Sequence, residues 1–143
     1  MSAATCRRGA LPDMARCVGA RVSTDRRAVT LLLATTPGAA FLDAIRRTGV
    51  IAAVFSQPST HKTLQLKGSD ARIVPTEPGD SDLVSRYIDA FVAEVTVYHY
   101  PEPLIRAFLA CSPDDLAAVQ FTVSAAYSQT PGPQAGEPLP AAQ

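Results

Sequence analysis

Between the apolar strands of this chain, only one connection is clearly helical, and that fact constrains the fold more than any other feature. Ala28 to Ala34 (Val29, Leu31, Leu32 and Leu33) is an apolar run suited to burial on both faces, and Val50 to Phe55 is another. A helix fits between them. Thr36 is a competent N-cap, Pro37 suits the first helical position, and Gly49 stands where a C-terminal glycine belongs. Its apolar face would be Phe41, Leu42 and Ile45. A doubly wound parallel sheet needs a helix after nearly every strand, so the pattern instead predicts a mainly antiparallel barrel with attached helices, α+β by content.

The other elements follow from local pattern. Ser2 to Cys6 reads as the end of a strand and Arg8 to Pro12 as turn chemistry. Met14 to about Ser23 reads as one strand, closed by the polar corner Thr24 to Arg27. After Gln57-Pro58, Leu64 and Leu66 face one way and His61, Thr63, Gln65 and Lys67 the other. Beyond Gly68 the apolar residues move to odd positions, Ala71 and Ile73. That one-residue slip calls for a bulge or bend at Gly68-Ser69-Asp70. Ser81 to Tyr98 is an amphipathic helix with Val84, Tyr87, Ile88, Phe91 and Val95 on one stripe. A Pro101-Glu102-Pro103 break leads to a short helix carrying Leu104, Ile105, Phe108 and Leu109, and Leu116 to Val123 is expected to be the last strand. Residues 1–130 are thus read as one domain, and the proline- and glycine-rich segment 131–143 as an extended or disordered arm.

Composition narrows the partners. Thirteen basic and thirteen acidic residues cancel, which disfavours nucleic acid and anionic membranes. No apolar run approaches the roughly 20 residues of a bilayer span. Arg7-Arg8 followed by Gly9 to Asp13 lacks the apolar core of a secretion leader. Cys6, Cys17 and Cys111 are odd in number and lack CxxC spacing, so free thiols in a reducing cytoplasm are expected.

Candidate chemistry sits at two places. At Ala34-Thr35-Thr36-Pro37-Gly38 a strand runs into a helix start, where backbone N–H groups and two hydroxyls face outward. The junction reads either as a phosphate cradle or as an ordinary capped helix. The second place is the polar strand face of His61, Thr63, Gln65 and Lys67, with Ser59 and Lys62 beside it, either a ligand face or a solvated one. Arg16, set among apolar residues, either needs a partner if buried or snorkels to water from an edge strand. His99 in Tyr98-His99-Tyr100 reads as capping and packing, and Asp114-Asp115 after Ser112-Pro113 as a turn. No nucleophile triad, metal-ligand spacing, P-loop or GxGxxG is present.

The run Val54-Phe55-Ser56-Gln57-Pro58-Ser59-Thr60-His61-Lys62-Thr63-Leu64-Gln65-Leu66-Lys67-Gly68 resembles the central strand pair of the pyridoxamine 5′-phosphate oxidase-related FMN-binding split-barrel family. The stretch from Asp114 to Thr122, continuing through Ser128 to Pro133, is similar to a C-terminal segment in an uncharacterised bacterial branch of it. The resemblance implies an antiparallel split β-barrel, a homodimer holding FMN in grooves between subunits, and a flavin-dependent oxidoreductase acting on a small molecule. The implied alternative is a non-catalytic dimeric barrel that binds haem, a deazaflavin or nothing. By position it assigns Arg16 to the phosphate, Thr35 and Thr36 to the hydroxyls after the next strand, and Lys62, Thr63 and Gln65 to the polar strand positions. Ser128 and Gln129 would approach the ring from the partner chain. The family usually places a Lys or Arg just inside the following helix, where this chain has Gly38-Ala39-Ala40-Phe41. Losing that charge-assisted contact removes about 1.5–3 kcal/mol, roughly one to two powers of ten in affinity. The residues that grip a substrate phosphate in the true oxidases have no counterpart here.

Overall fold

The computed structural model describes residues 1–5 and 11–140. It contains nine strands, β1 (Ser2–Thr5), β2 (Asp13–Arg16), β3 (Gly19–Val22), β4 (Ala28–Ala34), β5 (Ile51–Ser56), β6 (Thr63–Gly68), β7 (Arg72–Val74), β8 (Leu116–Thr122) and β9 (Ala125–Ser128). Its helices are α1 (Ala39–Thr48), α2 (Asp80–Thr96) and α3 (Glu102–Leu109), with a 3-10 turn at Pro113–Asp115. The strands form two antiparallel sheets, ordered β2-β1-β5-β6-β9 and β3-β4-β8-β7. Cys6 and the turn expected around Arg8 lie outside the described residues.

The chain passes between the sheets at three corners. The segment expected as one strand from Met14 to Ser23 is in fact two, β2 and β3, in different sheets. At the break the Cys17 N–H still donates to the Met1 carbonyl (3.1 Å), whereas the Val18 N–H already donates to Leu32 (2.8 Å). The ladder thus changes sheet within one residue, and the continuous apolar pattern hides the bend. At the β8–β9 corner the Val123 N–H donates to Arg27 and the Ser124 N–H to Lys67. The third corner, β6 to β7, falls at Ser69-Asp70, where the register slip called for it. Gly68 faces Phe121 there, and a Cβ would lie 2.7 Å from the ring and 2.8 Å from the Thr122 carbonyl, so only glycine permits the close approach.

Between the sheets lies the core. Leu31, Leu33, Val119 and Phe121 from one sheet meet Ala3, Ala15, Ala53 and Ile51 from the other, and Phe41, Leu42 and Ile45 of α1 close the end. Helix α1 starts at Ala39 rather than at Thr36, with Gly38 as its N-cap residue and no side-chain cap; Gly49 ends it at φ 63° as anticipated. Helix α2 covers the other face of the smaller sheet, Val84 packing on Val18, Leu32 and Ala118. Its start is tied down by Arg21, which pairs with buried Asp80 (3.2 Å) and with Glu77. Helix α3 packs Ile105 and Leu109 onto Val92 and Val95 of α2. The strand expected to be last, β8, is followed by β9, whose residues Ala125-Ala126-Tyr127-Ser128 carry little β signal. Past Thr130 the chain turns and runs back along β9: Ser128 N–H donates to Glu137 (2.9 Å) and Leu139 N–H to Ala126 (2.8 Å). No helix among the described residues is long and apolar enough to cross a membrane.

Candidate functional site

Strand pairing sorts the outer face of the larger sheet. One row runs Arg16, Ser2, Val54, Gln65, Tyr127, and the row beside it runs Met14, Ala4, Ala52, Lys67, Ala125. Cross-strand partners point to the same side, and the intervening row of Ala15, Ala3 and Ala53 is buried in the core. β1 and β5 therefore present the small or short side chains Ser2, Ala4, Ala52, Val54 and Ser56, while longer side chains stand on either flank. The result is a shallow trough about 14 Å from Arg16 to Gln65, three spacings of roughly 4.8 Å.

At the Arg16 end lies a cleft of about 240 Å³ lined by Met14, Ala15, Arg16, Val18, Ala34, Pro37, Gly38, Phe108 and Ala110. Arg16 Nη1 donates to the Phe108 carbonyl (2.9 Å), and the guanidinium lies 3.4 Å over the Phe108 ring. These contacts fix its plane but use one of five N–H donors. Among the described residues no carboxylate pairs with it, whereas Arg21, Arg46 and Arg106 all have acidic partners.

Thr35 and Thr36 are next to this cleft but do not line it. Both face the 3-10 turn before β8. The Thr35 N–H donates to the Asp115 carbonyl (2.7 Å), and Thr36 donates both its N–H (3.0 Å) and its hydroxyl (2.8 Å) to the Asp115 carboxylate. The expectation that Thr36 caps α1 fails for this reason. Its hydroxyl and N–H are drawn to a residue 79 positions downstream, which no local pattern reveals.

The second group sits at the opposite flank. Gln65 and Lys67 project from β6 on the trough side, Lys67 resting 4.6 Å over the Tyr127 ring. Thr63 donates its hydroxyl to Ser56 Oγ (3.0 Å) and its N–H to Thr130 Oγ1 (3.0 Å). Lys62 is exposed in the loop leading to β6. The Gln129 N–H donates to the Thr63 carbonyl (2.8 Å). Ser128 pairs with Leu64 and so faces the opposite side from Gln65. His61 has a positive φ of 57° at the loop end. The chain thus brings Arg16 together with the Pro37-Gly38 wall and Gln65 with Thr63 and Lys67, but it does not bring the two groups into one pocket.

The loop before β6 is fastened to α2. The Glu94 carboxylate accepts the Ser59 N–H (3.0 Å) and Gln57 Nε2 (2.9 Å), which hold its pKa below the ordinary carboxylate range. Cys17 is buried and free, its thiol pushed up to about 12 by burial; Cys111 is also free, and burial raises its pKa too. No group of three or more potential metal ligands occurs among the described residues.

Two antiparallel sheets joined by corners, with α1 closing the core between them and α2 on the other face of the smaller sheet, define the class of fold: this is a split barrel of the pyridoxamine 5′-phosphate oxidase-related type. A pyridoxamine 5′-phosphate oxidase-related, FMN-binding protein from Nostoc punctiforme superposes with a TM-score of 0.50 at 13% identity, over 93% of this chain and 75% of that one. A protein related to general stress protein 26, of the pyridoxinephosphate oxidase family, from Clostridium acetobutylicum gives 0.48 at 12% identity, over 89% and 76%. At 13% identity the likeness to the Nostoc protein shows the fold alone. No family model and no curated protein matches the sequence.

Proposed function

We propose that this protein binds FMN and acts as a flavin-dependent oxidoreductase on a small molecule, as a homodimer whose cofactor groove draws on both subunits. The observation that carries the reading is the outer sheet face, where a carboxylate-free arginine and the amide of Gln65 mark the two ends of one trough floored by small side chains. A ligand with an anionic end and a flat polar ring suits that separation. Arg16 offers its remaining donors to the phosphate, and Gln65, Thr63 and Lys62 offer polar contacts to the ring or its side chain. Solved proteins of this fold include one described as FMN-binding, which favours a flavin over other ligands.

A bound flavin supplies the electron-transfer chemistry itself, so this chain's residues have to bind, orient and shield it. Dimerisation also has a physical motive. Met14 is 65% exposed and Phe108 53% exposed at the cleft, and a second copy would cover them. The rival reading is a barrel that has lost the phosphate grip and binds another ligand or none. It is favoured by Gly38-Ala39-Ala40, which lacks a cation, and by the carboxylate of Asp115 on the Thr36 donors.

Titration of the purified protein with FMN, followed by flavin fluorescence, tests the proposal. Saturation at one FMN per chain in the micromolar range supports it; no binding at about 100 μM, weaker than roughly −5.5 kcal/mol, refutes it. Sedimentation should give twice the 15.1 kDa chain mass, and a monomer at micromolar concentration would refute the shared groove.

A further inference from the structure

The junction between β4 and α1 is closed by a carboxylate from elsewhere in the chain. Asp115 accepts the Thr36 N–H at 3.0 Å and the Thr36 hydroxyl at 2.8 Å on one oxygen, and its carbonyl takes the Thr35 N–H at 2.7 Å. One amide and one hydroxyl donor thus converge on a single carboxylate oxygen, as they would on an oxygen of a bound anion. Pro37 and Gly38, the next two residues, line the Arg16 cleft, so the Asp115 carboxylate is bound to the residue that immediately precedes that lining. Asp114 adds a second acidic side chain in the same exposed turn. Against this pair the cleft itself supplies only the Arg16 guanidinium.

We infer that Asp115 is a specificity-determining residue. Its carboxylate fills the anion position at the junction and repels a second anion, so the Arg16 cleft discriminates against dianionic phosphate. The inference builds on the flavin reading. It gives that reading a direction: the cleft takes a flavin whose phosphate is poorly held, and riboflavin competes with FMN far better than in a site with a free cradle. The Coulomb penalty falls on the dianion alone, because a neutral ribityl end carries no charge for Asp115 to repel.

Asp115→Asn separates charge from structure. The amide oxygen still accepts both Thr36 donors, so the turn is retained and only the negative charge is removed. Asp115→Ala removes both, and a thermal unfolding curve for each variant checks that the fold survives. The assay is parallel titration of wild type and Asp115→Asn with FMN, riboflavin and inorganic pyrophosphate. The expected result is FMN bound about tenfold more tightly by Asp115→Asn, riboflavin changed by less than about twofold, and pyrophosphate tightened as FMN is. FMN and riboflavin shifting together, or neither shifting, would overturn the role of Asp115 and leave the flavin reading standing. If neither flavin binds either protein, the flavin reading fails and pyrophosphate decides. A gain in Asp115→Asn that is lost in Asp115→Asn combined with Arg16→Ala upholds the charge argument, and no gain overturns it.

Discussion

Replacing Gly68 by alanine should loosen the whole barrel. Gly68 does not sit in the left-handed region, so its value is purely steric: its Cα lies where β6 turns toward the other sheet, against Phe121 and Thr122 of β8. An added methyl would stand 2.7 Å from Phe121 Cδ2, 3.2 Å from Phe121 Cβ and 2.8 Å from the Thr122 carbonyl oxygen. Phe121 is fully buried and cannot swing aside, and the carbonyl is backbone fixed in the β4–β8 ladder. The Thr122 N–H is also tied to Asp70 Oδ1 at 2.8 Å, which locks the corner from the other side. Relief requires the sheets to part by several tenths of an ångström, and overpacking of this kind costs about 1–3 kcal/mol. The opposing gain from a stiffer unfolded chain is only about 0.4–1 kcal/mol. The net cost is about 1–2 kcal/mol, and with a domain of this size losing roughly 2–4 °C per kcal/mol the melting temperature should fall by about 2–8 °C. Gly79→Ala is the control, since Gly79 has φ 96° but nothing within 4 Å, so its cost is conformational and local. Differential scanning calorimetry measures both. An unchanged or raised melting temperature for Gly68→Ala would refute the claim that this corner holds the sheets in register.

Other consequences are local. Arg16→Ala should weaken FMN binding by roughly ten- to hundredfold, the value of a charge-assisted contact to the phosphate, and Lys62→Ala should weaken it through the loss of a polar contact at the ring end. Lys67→Ala should change it little, since Lys67 is engaged with Tyr127; equal losses across the three in a fluorescence titration would show the phosphate assignment to be wrong. Asp80→Ala should destabilise the fold by roughly 2–4 kcal/mol, because it removes the buried partner of Arg21 and the acceptor of the Glu77 N–H and leaves Arg21 only the exposed Glu77, and adding Arg21→Met should return part of the loss. Urea melts of the single and double variants measure it, and strict additivity would count against the pair. The Glu94 carboxylate has its pKa depressed by Ser59 and then Gln57. Its hold on the loop is therefore fully present above the ordinary carboxylate range and lost as pH falls through the depressed value. Hydrogen exchange at Ser59, corrected for intrinsic rate, should rise at that low pH in wild type, and the pH dependence should vanish in Glu94→Ala.

What was legible in the sequence shares one property: it is decided within a few residues. The helix stop at Gly49, the both-faces burial of β4 and the corner after Gly68 each follow from a short window, a glycine with φ 63°, an unbroken apolar run and a register slip. The misreadings share the opposite property. Thr36 has every local mark of an N-cap, yet its donors go to Asp115, and the side-chain cap is lost to a contact formed only when β8 pairs with β4. The strand through Cys17 reads as continuous because a residue buried at a corner is as apolar as one buried in a strand. The candidate site divides in the same way. Arg16 stood out as a charge in an apolar run, and Gln65 by alternation, but their alignment in one row depends on the pairings of β2, β1, β5 and β6, which no single segment encodes. Asp115 is the sharpest case. A carboxylate in a Ser-Pro-Asp-Asp turn looks like turn chemistry, and so it is; only the fold sets that turn against the donors of another element. The carboxylate inferred to tune anion binding at the cleft is therefore one whose local sequence carries no functional signal.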